Sequence, residues 1–256
     1  MISGPARVLE YDLHLYRRVW RGSVVVSFLS PLLFLAAMGL GLGGLVNRSA
    51  GGVNGVAYIL FLAPGLMATT TMQTASSEST YPILAKVYWE RTYEAMLSTP
   101  LRVRDLVFGE LAWLVVRLTL VAVLFFAVML VFRIPRGPEA ALAIPAAVLN
   151  GLAFATPILA FTATQTRDTS FSAIQRFLIM PLFLFAGAFF PIAQLPHVLQ
   201  AVAWLTPLAH GVSLVRGLTL GTLTQSGALV DIGVLLAYTL AGGVGAAITF
   251  RRRLIK

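Results

Sequence analysis

GSVVVSFLSPLLFLAAMGLGLGGLVN, residues 22–47, is a run of 26 residues without one Asp, Glu, Lys or Arg. At a helical rise of about 1.5 Å per residue it is long enough to cross about 30 Å of hydrocarbon. Uncharged stretches also fill residues 49–77, 140–166, 177–215 and 232–250, and residues 106–132 are interrupted only by Glu110 and Arg117. Over the whole 256-residue chain 58% of residues are hydrophobic and 11% charged. Soluble domains carry about 25% charged residues, so too few charges are present here to cover a water-facing surface. The sequence therefore reads as an all-α integral membrane protein.

The stretch 177–215 is too long for one span, and Pro181, Pro191, Pro196 and Pro207 punctuate it. Each proline removes a backbone donor, so a continuous helix through all four is disfavoured. The reading is a span at 172–190 followed by short re-entrant helices at 191–212, with His197 and His210 near the interface. The other spans fall at 23–45, 56–77, 106–132, 141–165 and 229–250, six in all. The first run is too long for a signal h-region and follows Glu10, Asp12, Arg17, Arg18 and Arg21, so it is expected to stay as a span.

Six spans place both ends on one side. That side then holds Arg7, Arg17, Arg18, Arg21, Lys86, Arg91, Arg102, Arg104, Arg167, Arg176, Arg251, Arg252, Arg253 and Lys256. The opposite side holds only Arg48, Arg133, Arg136 and Arg216, while Arg117 lies inside a span. Fourteen against four makes both termini cytoplasmic by the positive-inside rule, and five or seven spans would split the basic ends. This topology accounts for most of the net charge of +9, so nucleic acid is not an expected partner.

Several chemistries are excluded. With no cysteine, disulfides, thiolate metal sites and cysteine nucleophiles are ruled out. No G-x-x-x-x-G-K-[ST] loop is present to cradle ATP phosphates, and H-E-x-x-H and G-x-S-x-G are absent. Gly39, Gly41 and Gly44 match G-x-G-x-x-G by spelling, but a dinucleotide site needs that turn between a strand and a helix. Here the glycines close a membrane span, and Gly39 and Gly43 read as a helix-packing or outer-turn pair. The longest segment outside the membrane, about 78–105, is too short to hold a core unaided. No cofactor is expected on this chain, and any energy source must come from elsewhere.

Four features remain as candidates for function. In RVLEYDLHLYRRVWR, residues 7–21, Leu9, Leu13, Tyr16 and Trp20 share one helical face while Glu10, His14, Arg17, Arg18 and Arg21 take the other. That is the pattern of an interfacial helix over 6–21 lying among lipid headgroups, although a plain basic flank orienting the first span has the same composition. In YPILAKVYWERTYEAMLSTP, residues 81–100, Pro82 suits a first turn and Thr99-Pro100 a stop, predicting a helix over 82–98 beneath the membrane. It mixes Tyr88, Trp89 and Tyr93 with Lys86, Glu90, Arg91 and Glu94, a composition that suits a protein contact and also an amphipathic loop on headgroups. The second span ends polar, from Thr69 through Thr70, Gln73 and Thr74 to Glu78, and its residues either line a path or bond their own and neighbouring helices. Glu110 and Arg117 stand two turns apart on the third span. They are either path residues for an anionic group or a structural pair, with each other or with another helix.

The amphipathic N-terminal helix, the six spans, the segment YPILAKVYWERTYEAMLSTPL between spans two and three, and the proline-broken outer region together resemble the ABC-2 type transporter permeases. Within them the 81–101 segment is similar to that of the NodJ-like lipo-oligosaccharide exporters and the daunorubicin-resistance-type drug exporters. The resemblance covers essentially the whole chain and is specific mainly in this segment. It implies a multi-pass permease of the bacterial inner membrane that forms a dimer, expected to be a homodimer. It also implies two copies of a separate ABC ATPase as partners, with ATP and Mg bound there. The helix after span two would be the coupling helix, a role that falls on Tyr88, Trp89, Glu90, Arg91, Thr92, Tyr93, Glu94 and Met96. The N-terminal helix, here Leu9, Leu13, Tyr16, Arg17 and Trp20, would also touch the ATPase, and residues 191–210 would shape the exit. Thr70, Gln73, Thr74, Glu110 and Arg117 are the candidate path.

The function expected from this is an exporter subunit, not itself an enzyme, that moves an amphipathic or lipid-linked substrate among membrane lipids. The alternative is a carrier or membrane enzyme not driven by ATP. Such proteins hold several carboxylates or histidines deep in their spans, and only Glu110 and Arg117, with Asp231 at a span edge, are available for that here.

Overall fold

The computed structural model describes residues 3–50, 52–53 and 55–255; Lys256, counted above with the basic residues, lies outside them. Apart from one isolated bridge between Val53 and Val56, the described elements are helices. They are α1 (Gly4–Ala36), α2 (Gly43–Ala50), α3 (Tyr58–Glu78), α4 (Tyr81–Leu84), α5 (Thr92–Leu97), α6 (Val103–Val131), α7 (Ala143–Thr162), α8 (Thr169–Ile174), α9 (Met180–Phe185), α10 (His197–Leu205), α11 (Pro207–Leu220) and α12 (Gln225–Leu254). Wider π turns link α1 to α2, extend α4 to Trp89 and join α8 to α9.

Among the described residues, four helical stretches are long and apolar enough to cross a membrane: 4–48, α6, 138–162 and α12. The pair α10 and α11, bent by 82° at Thr206, makes a fifth if it is one span. Proline at the first position of α11 explains the bend, since its ring forbids helical continuation from the residue before it. α3 has 21 residues, but its hydroxyl-rich second half leaves it outside that set, and 169–185 is apolar but shorter.

Two expectations differ from what is observed. The helix over 6–21 and the first span are one continuous helix, α1, with no break near residue 22. Nothing in residues 18–24 breaks a helix, since a Cβ at Gly22 would meet open space and no proline lies between Pro5 and Pro31. The segment expected as one helix over 82–98 instead divides at Glu90 and Arg91. The Glu90 N–H is spent on the Ala85 carbonyl five residues back, and Arg91 takes a left-handed conformation (φ 52°).

Among the described residues two apolar cores form. The larger joins Leu62, Met67 and Met72 of α3 to Leu118 and Phe125 of α6, Phe154 of α7 and Leu214 of α11. The smaller, at the end of the bundle where the chain begins and finishes, joins Val8, Ile83, Tyr93, Leu106, Leu159 and Phe250. α3 packs centrally against α6, α7 and α11, α1 runs along α6, and α12 along α7. Polar ties cross these contacts: the Asn150 amide donates to the Ala68 carbonyl (2.8 Å), and the His210 ring bridges the Asp231 carboxylate (2.7 Å) and the Trp204 carbonyl (2.9 Å). The outward faces of α1 and α12 are apolar yet unburied, as in Leu236, Leu240, Val244 and Ile248, which suits a surface wetted by lipid.

Close approach of α12 to α7 depends on Gly242, where a Cβ would stand 2.5 Å from Pro157 N and 2.6 Å from its Cδ. Because α7 backbone cannot yield as a side chain can, Gly242→Leu should cost about 1 to 3 kcal/mol, lowering the melting temperature of the solubilised protein by about 2 to 12 °C. Gly233→Leu on the same helix meets open space and should leave the melt unchanged. Equal melts for the two variants would remove Gly242 from the packing account.

Candidate functional site: an ion-paired hub beneath a polar cleft

Val8, Asp12 and Tyr16 follow one another at helical spacing on the face of α1 turned to α6. Gly109 allows the approach, since a Cβ there would lie 2.5 Å from that of Val8. Lys86, on the turn after α4, reaches into this junction and donates to Asp12 Oδ1 and to Glu110 Oε1, each at 2.6 Å. All three are buried, Glu110 with 1% of its surface exposed. Burial disfavours the Lys86 ammonium, but the Glu110 and Asp12 carboxylates outweigh it and raise its pKa. Tyr93 is wholly buried beside Glu110; burial first, then that carboxylate, holds its hydroxyl well above its ordinary pKa. The hub ties the 81–97 segment to α1 and α6 at once.

On its outer side the same segment is bare. Tyr88 and Trp89 are about half exposed, and Glu90, Arg91 and Glu94 are exposed. Thr92 and Met96 are half-buried, whereas Tyr93 points inward and packs its ring, tilted by 59°, 5.8 Å from that of Phe250 of α12. Of the residues expected to make one contact surface, the structure therefore keeps Tyr88, Trp89, Glu90, Arg91 and Glu94 outside and makes Tyr93 an anchor. On α1, Leu13, Arg17 and Trp20 are exposed, Leu9 and Tyr16 half-buried.

Glu110 and Arg117 do not pair with each other. Arg117 donates to Glu78 Oε1 at the end of α3 (2.8 Å) and to the Tyr16 hydroxyl and Ser23 Oγ of α1 (3.0 Å each), and lies 4.8 Å from the Tyr16 ring centre. Its charge clamps three helices, the inter-helix form of the structural alternative. Thr70, Gln73 and Thr74 do come together: with Ser27 and Ser30 of α1 they line an open cavity of about 240 Å³ that Phe34, Phe125 and Phe183 also border. Gln73 also borders a second opening of about 600 Å³, lined by Ser76, Ser77, Thr80, Gln175 and Arg176. Thr69 and Thr71 turn away and bond carbonyls of their own helix at 3.0 and 2.9 Å. Neither Glu110 nor Arg117 lines either opening.

Sequence reasoning passed over Asp12 and Lys86 as site residues. Their signal was present, since Lys86 stands between Leu84-Ala85 and Val87, and Asp12 falls four residues from both Val8 and Tyr16. One face of α1 carries Asp12, Tyr16, Ser23, Ser27, Ser30 and Phe34, and one face of α6 carries Glu110, Arg117, Val121 and Phe125. The seam between these helices thus runs from hub to clamp to cleft.

The family model described as "ABC-2 type transporter" matches residues 8–220. The chain is 34% identical to Nodulation protein J of Rhizobium leguminosarum bv. viciae, over 98% of each chain. It is 33% identical to Nodulation protein J of Rhizobium meliloti (strain 1021), over 94% of this chain and 90% of that one. Against the inner membrane transport permease YadH of Escherichia coli (strain K12) identity is 22%, over 90% and 88%.

Proposed function

The chain belongs to the ABC-2 type transporter family, and on that premise we propose that it is the export permease of a two-component pump whose ATPase is a separate chain. In this reading two permease copies and two ATPase copies assemble in a bacterial inner membrane. The six spans keep both termini in the cytoplasm, and the cargo is an amphipathic or lipid-linked molecule such as a lipo-oligosaccharide, glycolipid or hydrophobic drug. The observation that carries the proposal is the 81–97 segment, bare and aromatic on one side and ion-paired to α1 and α6 on the other. A partner can shift a conformational equilibrium only through contacts that differ between the two states. A segment whose exposed tip docks on the ATPase and whose buried root is fixed to two spans meets that requirement.

The seam gives the displacement a route. Movement of Lys86 acts on Asp12 and Glu110, and through α1 and α6 on the walls of the cleft at Ser27, Ser30, Val121 and Phe125. The cleft's hydroxyl and amide lining beside phenylalanines suits an amphipathic cargo and carries no charge to hold a bare ion. The ATP-independent carrier or enzyme finds less support, because Glu110 and Arg117, its candidate groups, are both engaged in inter-helix pairs.

The test is Glu90→Ala with Glu94→Ala, both exposed and away from the hub. The variant is expected to insert and melt like the parent, while ATPase retention on purification and vanadate-sensitive hydrolysis fall about tenfold, as loss of about 1.4 kcal/mol of contact requires. Undiminished hydrolysis and retention would remove the segment from the ATPase contact.

A further inference from the structure

At the end of the bundle away from the chain termini, Arg216 of α11 is turned inward. Its Nε donates to the Phe61 carbonyl (3.1 Å), and its Nη2 donates to the carbonyls of Gly187 (2.8 Å) and Ala188 (3.4 Å). The guanidinium carbon lies 3.7 Å from the centre of the Phe61 ring. The surroundings are shaped to this fork. Gly187, at φ 83°, directs its carbonyl to it, and at Gly65 a Cβ would stand 3.0 Å from Nη2 and 2.8 Å from the Ala188 backbone.

No carboxylate answers this charge. Arg216 makes no ion pair with the described residues, and the cavity it borders, about 510 Å³, has neither Asp nor Glu in its lining. Lys86 and Arg117, which also turn into the bundle, are each paired with an acid. Nη1 bonds none of the described residues, and Arg216 lines the cavity. There Gln200, Ser213 and Thr222 supply polar groups, and Trp204, Val212 and Leu223 supply an apolar wall.

We propose that this cavity binds a phosphate-type anionic group of an amphiphile, with Arg216 as its counter-ion and the Trp204 and Leu223 side taking the adjoining alkyl portion. A guanidinium held by three carbonyls on two of its nitrogens presents the third already oriented, so an anion meets a donor that needs no reordering. On the permease reading above, on which only the identity of the occupant rests, the cavity lies on the outer side of the membrane. Its occupant is then the head of the exported molecule or that of an outer-leaflet phospholipid.

The test uses the solubilised full chain with decyl phosphate as probe, decyl maltoside as uncharged control and inorganic phosphate as free anion. At a hundredfold excess over Kd, decyl phosphate should raise the melting temperature by about 5 to 10 °C, and decyl maltoside should not. Arg216→Gln should abolish the rise. Because that variant also loses the carbonyl bonds, Ser213→Phe serves as its companion, filling the cavity while leaving Arg216 in place, and should abolish the rise as well. Repeating the titration in nanodiscs separates the sources. Competition by phosphatidylglycerol assigns the site to bilayer lipid, and persistence of the decyl phosphate effect assigns it to a transported head group. No shift in the parent, a shift equal to that of decyl maltoside, or an undiminished shift in both variants would overturn the proposal. A shift with inorganic phosphate alone supports the anion site without the alkyl wall. Failure of ATPase retention leaves these melts unaffected, so the two readings fail separately.

Discussion

Lys86→Met is expected to be among the most destabilising single substitutions in the chain. It leaves Asp12 and Glu110 facing each other in a buried site with no cation between them, and Asp12 Oδ2 and Glu110 Oε2 already lack partners among the described residues. Removing one member of a buried ion pair typically costs about 3 to 5 kcal/mol, because the remaining charge stays desolvated. For a chain of this size that lowers the melting temperature by roughly 6 to 20 °C. The loss should belong to the charge imbalance and not to the missing side chain. Adding Asp12→Asn and Glu110→Gln to Lys86→Met should therefore recover much of it, whereas either amide substitution with Lys86 intact should cost less than Lys86→Met. A Lys86→Met protein that melts with the parent, in the detergent where the triple variant is also measured, would show that the hub does not hold 81–97 to the spans.

The membrane class follows from hydropathy alone, because a bilayer imposes length and apolarity on each helix independently of its neighbours; against the six spans expected, the described residues give four such helices, or five with the bent pair. Residues 106–132 read as one span and fold as α6, and the prolines at 191, 196 and 207 end or start helices where their rings demand it. The site was legible only in part. Thr70, Gln73 and Thr74 declare themselves by polarity in an apolar span, and the cleft contains them. Thr69 and Thr71 have the same composition but face the core, and the phase of a helix against its neighbours is not a property of the helix by itself. The hub escaped notice because its three charges lie 24 and 74 residues apart in the chain. The periodicity of residues 7–21 sorted the charged face correctly for Arg17 and Arg18 but left Asp12 unplaced, since a lone acid on an apolar stripe has meaning only once its cation is known.

Arg117 offers the second large effect, and it bears on how the hub communicates with the cleft. Its guanidinium reaches α3 through Glu78 and α1 through Tyr16 and Ser23, midway along the α1–α6 seam. Tyr16 is further fixed edge-on to Trp113, one turn before Arg117, at 5.5 Å between ring centres. Arg117→Met keeps much of the aliphatic packing but strands Glu78 and releases both hydroxyls. Glu78 retains 19% side-chain exposure and so recovers part of its hydration. The expected cost is therefore about 2 to 3 kcal/mol, at or below the low end for a broken buried pair. Arg117→Lys restores the charge without the fork and should fall between the two, and Glu78→Gln in the Arg117→Met background should add little further loss, as expected of residues in one network. Coupling separates a clamp from a mere anchor. If the seam transmits movement and the proposed ATPase contact lies on the exposed side of 81–97, Arg117→Met retains the ATPase on purification, because that side is untouched, yet loses stimulation of its hydrolysis by cargo. Parallel loss of retention and stimulation would instead place Arg117 in folding alone, and the path from hub to cleft would then have to run through α6 without α1.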